Sequence, residues 1–76
     1  MDKAQQEQVK KRFGARVRQL RKAMAGKVSQ EKLAFAAELD RSYVSGIERG
    51  KKNLSLVNIQ RLANALGVGA GELFGE

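Results

Sequence analysis

Arg41, Ser42, Ser45, Gly46 and Arg49 are the residues of this chain whose types and spacing suit recognition chemistry. At about 100° per residue they share one half of a helix, while Tyr43, Val44, Ile47 and Glu48 share the other. Asp40 precedes them as an N-cap, its carboxylate placed to accept a bond from a free N–H of the first turn. The outward half carries no large apolar side chain. It offers one arginine at the helix start, two hydroxyls, a glycine gap and a second arginine near the end. Arginine bonds a guanine edge bidentately, hydroxyls pair with several base edges, and glycine lets a helix backbone come close. Those are the means of reading a DNA major groove. A solvated polar helix face is the bland alternative, and this helix taken alone leaves the two evenly matched.

The elements that must hold this helix shift the balance. Ser29 caps a preceding helix, Gln30 and Glu31 fill its first turn, and Leu33, Ala34 and Ala37 form an apolar stripe at helical spacing. Only Glu38, Leu39 and Asp40 separate the two helices, which enforces a sharp crossing instead of an antiparallel hairpin. Upstream, Val9, Phe13, Val17, Leu20 and Met24 make one continuous stripe along a first helix. Asp2 and Gln5 have capping-box spacing and can start that helix, but residues 1 to 8 hold little apolar content and equally suit a frayed end. Downstream, Ser55 caps a helix lined by Leu56, Ile59, Leu62, Ala63 and Leu66 and stopped by Gly67. Val68, Leu73 and Phe74 belong to a short final helix. No strand pattern, internal repeat or linker competes, and the expectation is one all-α domain over 1–76, a compact bundle of five short helices.

The segment SQEKLAFAAELDRSYVSGIERG resembles the helix-turn-helix of the lambda-repressor and Cro-type (XRE-like) transcription regulators. FGARVRQLRKAM before it resembles that family's first helix, and KKNLSLVNIQRLANALGVGAGELF after it the fourth and fifth. LDRSYVSGIERGKKNLS looks most like the controller proteins of restriction-modification systems. The resemblance implies a homodimer on an inverted-repeat operator in double-stranded DNA, with RNA polymerase as a possible further partner. Two features depart from the pattern. Glu38 stands where many members have glycine, which would cost about 1 to 2 kcal/mol in a left-handed conformation, so an adjusted corner is expected. The AMAGKVS connection is longer than usual and places Lys27 on a loop near the site, where facing solvent is the expected outcome.

Arg41, Ser42 and then Ser45 are the candidates for base readout. Gln30 sits at the amino end of the second helix, which favours an anion, and the resemblance implies a backbone phosphate there. Tyr43 is expected at the helix edge with its hydroxyl free for phosphate, the alternative being packing against the fourth helix. The resemblance lays Lys51, Lys52 and Asn53 along the sugar-phosphate backbone, where they supply affinity and little sequence information. It also pairs Arg21 with Glu48, an ion pair that pins the recognition helix to the core. Leu73 and Phe74 are the candidates for the dimer interface, unless both only cap the monomer core. Phe35 suits either packing on the first helix or exposure.

Composition narrows the function classes. With 76 residues and no cysteine, the chain has room for a modest core and no disulfide. Its net charge of +7 favours phosphate-bearing partners, nucleic acid or an anionic membrane surface. Lacking histidine, cysteine and an evident carboxylate pair, it offers no general base or metal site, so no enzyme activity, cofactor or metal is expected. No small-molecule ligand is expected either, nor a signal peptide or transmembrane run, and the default location is the cytoplasm. Two rivals to a DNA regulator remain. An antitoxin-like protein-binding module would use the same fold, normally with an added wrapping segment. A basic amphipathic membrane-surface protein would use the seven bases between Lys10 and Lys22, although the apolar stripe is needed for the core and tryptophan is absent.

Overall fold

A computed structural model describes residues 1–76 as an all-helical chain in the order α1 (Lys3–Ala23), α2 (Gln30–Ala37), α3 (Arg41–Glu48), α4 (Leu56–Leu66) and a terminal 3-10 helix (Ala70–Phe74). The first element is not short: α1 runs 21 residues, starting at Lys3 because the capping box forms. Asp2 accepts the Gln5 N–H at 2.8 Å, and the Gln5 side chain accepts the Asp2 N–H at 2.9 Å. Ser29, Asp40 and Ser55 cap the next three helices, each side chain accepting a backbone N–H of the first turn. The fifth helix forms as a single stretch of 3-10 geometry. Arg16 on α1 holds it down, its Nε donating to the Glu72 carbonyl at 2.8 Å.

The core collects Phe13 and Val17 from α1, Leu33, Ala34 and Ala37 from α2, Val44 and Ile47 from α3, Leu62, Ala63 and Leu66 from α4, and Leu73. Every element contributes, so the stripes at helical spacing do face inward. Two stripe ends do not. Val9 lies at the rim of a cleft it shares with Ile59 and Phe74 and is 37% exposed, and Leu56, first residue of α4, is 85% exposed. Phe35 resolves to the surface at 87% exposure, on the opposite side of α2 from Leu33, Ala34 and Ala37.

The α2–α3 corner keeps the geometry that glycine would normally supply. Glu38 adopts φ 59°, ψ 41°, so the expected adjustment does not occur. The reason is what surrounds it: the Leu39 N–H donates to the Ala34 carbonyl at 2.8 Å, closing α2, while Leu39 packs on the core and Asp40 is already capping α3. Shifting Glu38 out of the left-handed region would break all three. The corner therefore carries strain that the flanking contacts outweigh. In the longer α1–α2 connection Lys27 is also left-handed, at φ 54°, and exposed.

Gly14 sets the spacing of α1 and α3. A Cβ there would lie 2.1 Å from the Ile47 carbonyl oxygen, so the backbone of α3 rests directly on α1. Gly50 makes a similar contact just past α3, where a Cβ would meet Lys11 Cα at 2.8 Å.

Candidate nucleic-acid interface

α3 lies with Val44 and Ile47 fully buried and Arg41, Ser42 and Arg49 exposed, so the helix presents a polar edge outward. Ser45 is half-buried on the same side. Gly46 departs from the sequence reading: it is buried and leaves no gap on the outer face. The Lys52 side chain runs across it, and a Cβ on Gly46 would come within 2.7 Å of Lys52 Cε. The ammonium of Lys52 then stands 5.7 Å from the centre of the Tyr43 ring, within cation–π range. Glycine here gives a lysine stem a bed on the helix and does not give DNA close access to the backbone.

Behind the outer edge, Glu48 closes a polar knot. Arg21 Nε donates to Glu48 Oε2 at 2.7 Å and Nη2 to Oε1 at 3.0 Å, a two-pronged bond with side chains 11% and 3% exposed. The third guanidinium nitrogen, Nη1, donates to the Val28 carbonyl at 2.9 Å and so ties the end of the α1–α2 loop to the same knot. Burial pushes the Glu48 carboxyl upward, but the bonds from Arg21 and Gln30 and the charge of Arg21 outweigh it and leave the group below its ordinary value. The Glu48 bond correspondingly raises Arg21 against the opposing effect of burial. One acid is thereby neutralised beside an edge that carries the exposed cations Arg41, Arg49, Lys51 and Lys52.

Gln30 belongs to this knot as well. Its Nε2 donates to Glu48 Oε1 at 3.1 Å, so the side chain is held inward from the start of α2. Tyr43 combines both of its expected placements. Its ring packs against the core, and Asn58 on α4 approaches its hydroxyl oxygen at 3.5 Å, which leaves the phenolic proton available to a further acceptor. Lys51, Lys52 and Asn53 follow on an exposed loop beside α1. Lys10 lines the same cleft as Lys52 and Asn53, so part of the basic run on α1 joins the basic loop in space. Sequence reading missed that junction; a glycine in mid-helix at Gly14, which weakens a helix unless a close approach needs it, was the available signal.

Leu73 cannot serve as a dimer contact. It is 0% exposed within the single chain, sealed by α1 and α4, and offers a second copy no surface. Phe74 is 50% exposed, and its ring meets Phe13 at a centroid distance of 5.2 Å.

Comparison with known proteins places this geometry. A helix-turn-helix family model matches residues 17–73. The chain belongs to the helix-turn-helix family of DNA-binding transcription regulators. It is 44% identical over 68 residues to Control protein C.MunI of Mycoplasma sp, covering 90% of both chains. Control protein C.BamHI of Bacillus amyloliquefaciens is 54% identical over 56 residues, 74% of this chain and 68% of that one. Among solved structures, the restriction-modification controller protein C.AhdI from Aeromonas hydrophila superposes with a TM-score of 0.80 at 56% identity, covering 84% of this chain and 94% of that one. The family is one of DNA-binding regulators and not of enzymes. No helix is long and apolar enough to cross a membrane.

Proposed function

We propose that this regulator acts as a restriction-modification controller, binding an inverted-repeat operator as a homodimer with α3 of each copy in the major groove. The carrying observation is the division of α3 between an exposed edge of Arg41, Ser42 and Arg49 and a buried back locked by Arg21 and Glu48. A helix held from behind in this way needs no ordering of its own on binding, so only its exposed side chains must settle. Arg41 and Ser42 read base edges at the first turn, with Ser45 one turn on. Lys51, Lys52, Asn53 and the Tyr43 hydroxyl position the backbone. Gln30 serves phosphate through the free N–H groups of the α2 start, its side chain being committed to Glu48.

One domain of this size makes few base contacts, which is why operator choice needs two copies with half-sites about 34 Å apart or a multiple of it. The interface is assigned to the exposed apolar side chains Leu56, Val57 and Phe74. Leu56 lies one turn before Ile59 on the same face of α4, and Ile59 shares a cleft with Phe74 and Val9. Controller function is supported by the similarity to C.MunI, C.BamHI and C.AhdI along most of the chain. Selection of bound duplexes from a random pool, followed by titration against salt, tests the proposal. An enriched inverted repeat whose affinity falls steeply with salt is the expected result; a pool that stays random would sink specific regulation.

A further inference from the structure

We infer that Asp40 fixes the Ser42 hydroxyl as a hydrogen-bond acceptor toward DNA, so that this position of α3 selects a base carrying an exocyclic amino group, adenine or cytosine. The inference rests on the proposed role of α3 in the groove and adds the chemistry of one position. A serine hydroxyl has one proton and two lone pairs, and a free one rotates to donate or accept as its partner requires. Ser42 is not free. Its hydroxyl donates to Asp40 Oδ2, the same oxygen that accepts the Ser42 backbone N–H at 2.9 Å. An ionised carboxylate only accepts, so the shared proton must come from serine, and a bond to a charged acceptor is stronger than one between neutral groups. The Asp40 carboxyl is ionised at neutral pH as any exposed carboxyl is, and the Ser42 hydroxyl first and the Ser42 backbone N–H second hold it below its usual value.

What remains to Ser42 at the exposed edge of α3 is lone pairs. In the major groove each base pair displays one amino donor, adenine N6 or cytosine N4, while thymine O4 and guanine O6 and N7 only accept. An oxygen with lone pairs alone meets the first set and is repelled by the second. Ser42 therefore distinguishes adenine or cytosine from guanine or thymine on the strand it faces, a choice that a freely rotating hydroxyl does not make. Asp40 touches no base in this scheme; it is a positioning residue whose effect passes through Ser42.

The test compares the wild type with D40S and S42A by selection of bound duplexes. Serine is itself a good N-cap, so D40S keeps α3 capped while removing the acceptor-only group. The wild type should show an approximately fivefold preference for adenine or cytosine at one symmetric pair of operator positions, about what a single net hydrogen bond supplies. In D40S and in S42A that preference should fall below about twofold, with the position read by Arg41 unchanged. An undiminished amino preference in either variant, beside a clear wild-type operator, overturns this inference and leaves the regulator intact. A wild type that enriches no sequence overturns the regulator proposal and this inference with it. The contact is also readable in free protein: carbon-13 titration should find the Asp40 midpoint higher in S42A than in wild type, and an unmoved midpoint refutes the bond.

Discussion

On the proposed reading, individual side chains at this surface differ in whether they carry sequence information, and substitution should separate them. Arg41→Ala removes a fork at the first turn of α3 and is expected to relax one operator position while costing about 1 to 3 kcal/mol on the preferred site. Lys52→Ala removes a cation laid over Gly46 and Tyr43 and should weaken all duplexes alike, lowering the slope of log affinity against log salt by about one. Duplex titration at several salt concentrations checks both, and a Lys52 effect confined to one sequence would contradict the backbone role proposed for it. Glu48 belongs to stability instead. Its side chain is 3% exposed, so Glu48→Ala strands Arg21 in a covered site and should cost about 3 kcal/mol by urea unfolding, well above a surface bridge. The pH dependence follows from the same pair. Because the folded carboxyl lies below its unfolded value, the unfolded chain binds more protons between the two. The contribution is present above the unfolded value and is lost as pH falls through the folded one. Glu48→Gln should therefore flatten the acid side of the stability profile, whereas an unchanged acid limb would mean that Glu48 is not the group responsible.

At the scale of elements, two backbone positions make opposite demands. Glu38 sits at φ 59° with a side chain that prefers to be elsewhere. Glu38→Gly relieves about 1 to 2 kcal/mol of left-handed cost and returns part of it to the freedom of the unfolded chain. A net gain of about 0.5 to 1 kcal/mol is expected in thermal unfolding, and a loss would show that the glutamate side chain contributes something its exposure conceals. Gly14→Ala should do the reverse. The propensity gain inside α1 cannot offset a Cβ placed 2.1 Å from the Ile47 carbonyl, and forcing α3 off α1 should cost about 2 kcal/mol. These two positions also show where the sequence was legible. The caps Ser29, Asp40, Ser55 and Asp2 and the stop at Gly67 could be read because each is a local device whose effect spans about one turn. The stripes along α2 and α3 were readable because the helical period is fixed. What could not be read depends on distance in space: Gly46 as a bed for Lys52, Gly14 as the contact with α3, the burial of Leu73, and Leu56 facing outward at a helix start. Glu38 shows the limit of propensity, since the local preference pointed to an altered corner and the bonds on both sides of it prevailed.

For the whole molecule, the decisive question is the second copy. Eleven buried apolar side chains hold a chain of this size together as a modest core, and no part of that core is left over to serve a partner. A dimer must therefore use what the fold leaves outside, and Leu56 is the clearest case at 85% exposure, beside Val57 and within one turn of the cleft that Phe74 and Val9 line. Leu56→Glu should leave the helical content and the unfolding transition of the isolated chain near wild type, because nothing inside the monomer depends on that side chain. In a dimer the same substitution buries a carboxylate against apolar surface, which association cannot tolerate without a partner for the charge. Sedimentation should then show monomer at concentrations where the wild type is dimeric. Operator affinity should fall by about 10² to 10⁴, the loss expected when two linked half-site contacts become two independent ones. A single half-site duplex supplies the control: its weak binding should be the same for both proteins, since Arg41, Ser42 and the lysine loop are untouched. Leu73→Glu gives the contrasting outcome, because a carboxylate at a fully buried position should unfold the chain before any question of dimerisation arises. If Leu56→Glu stayed dimeric and bound the full operator as the wild type does, the interface would have to lie on another face, with exposed Phe35 on α2 the next surface to change.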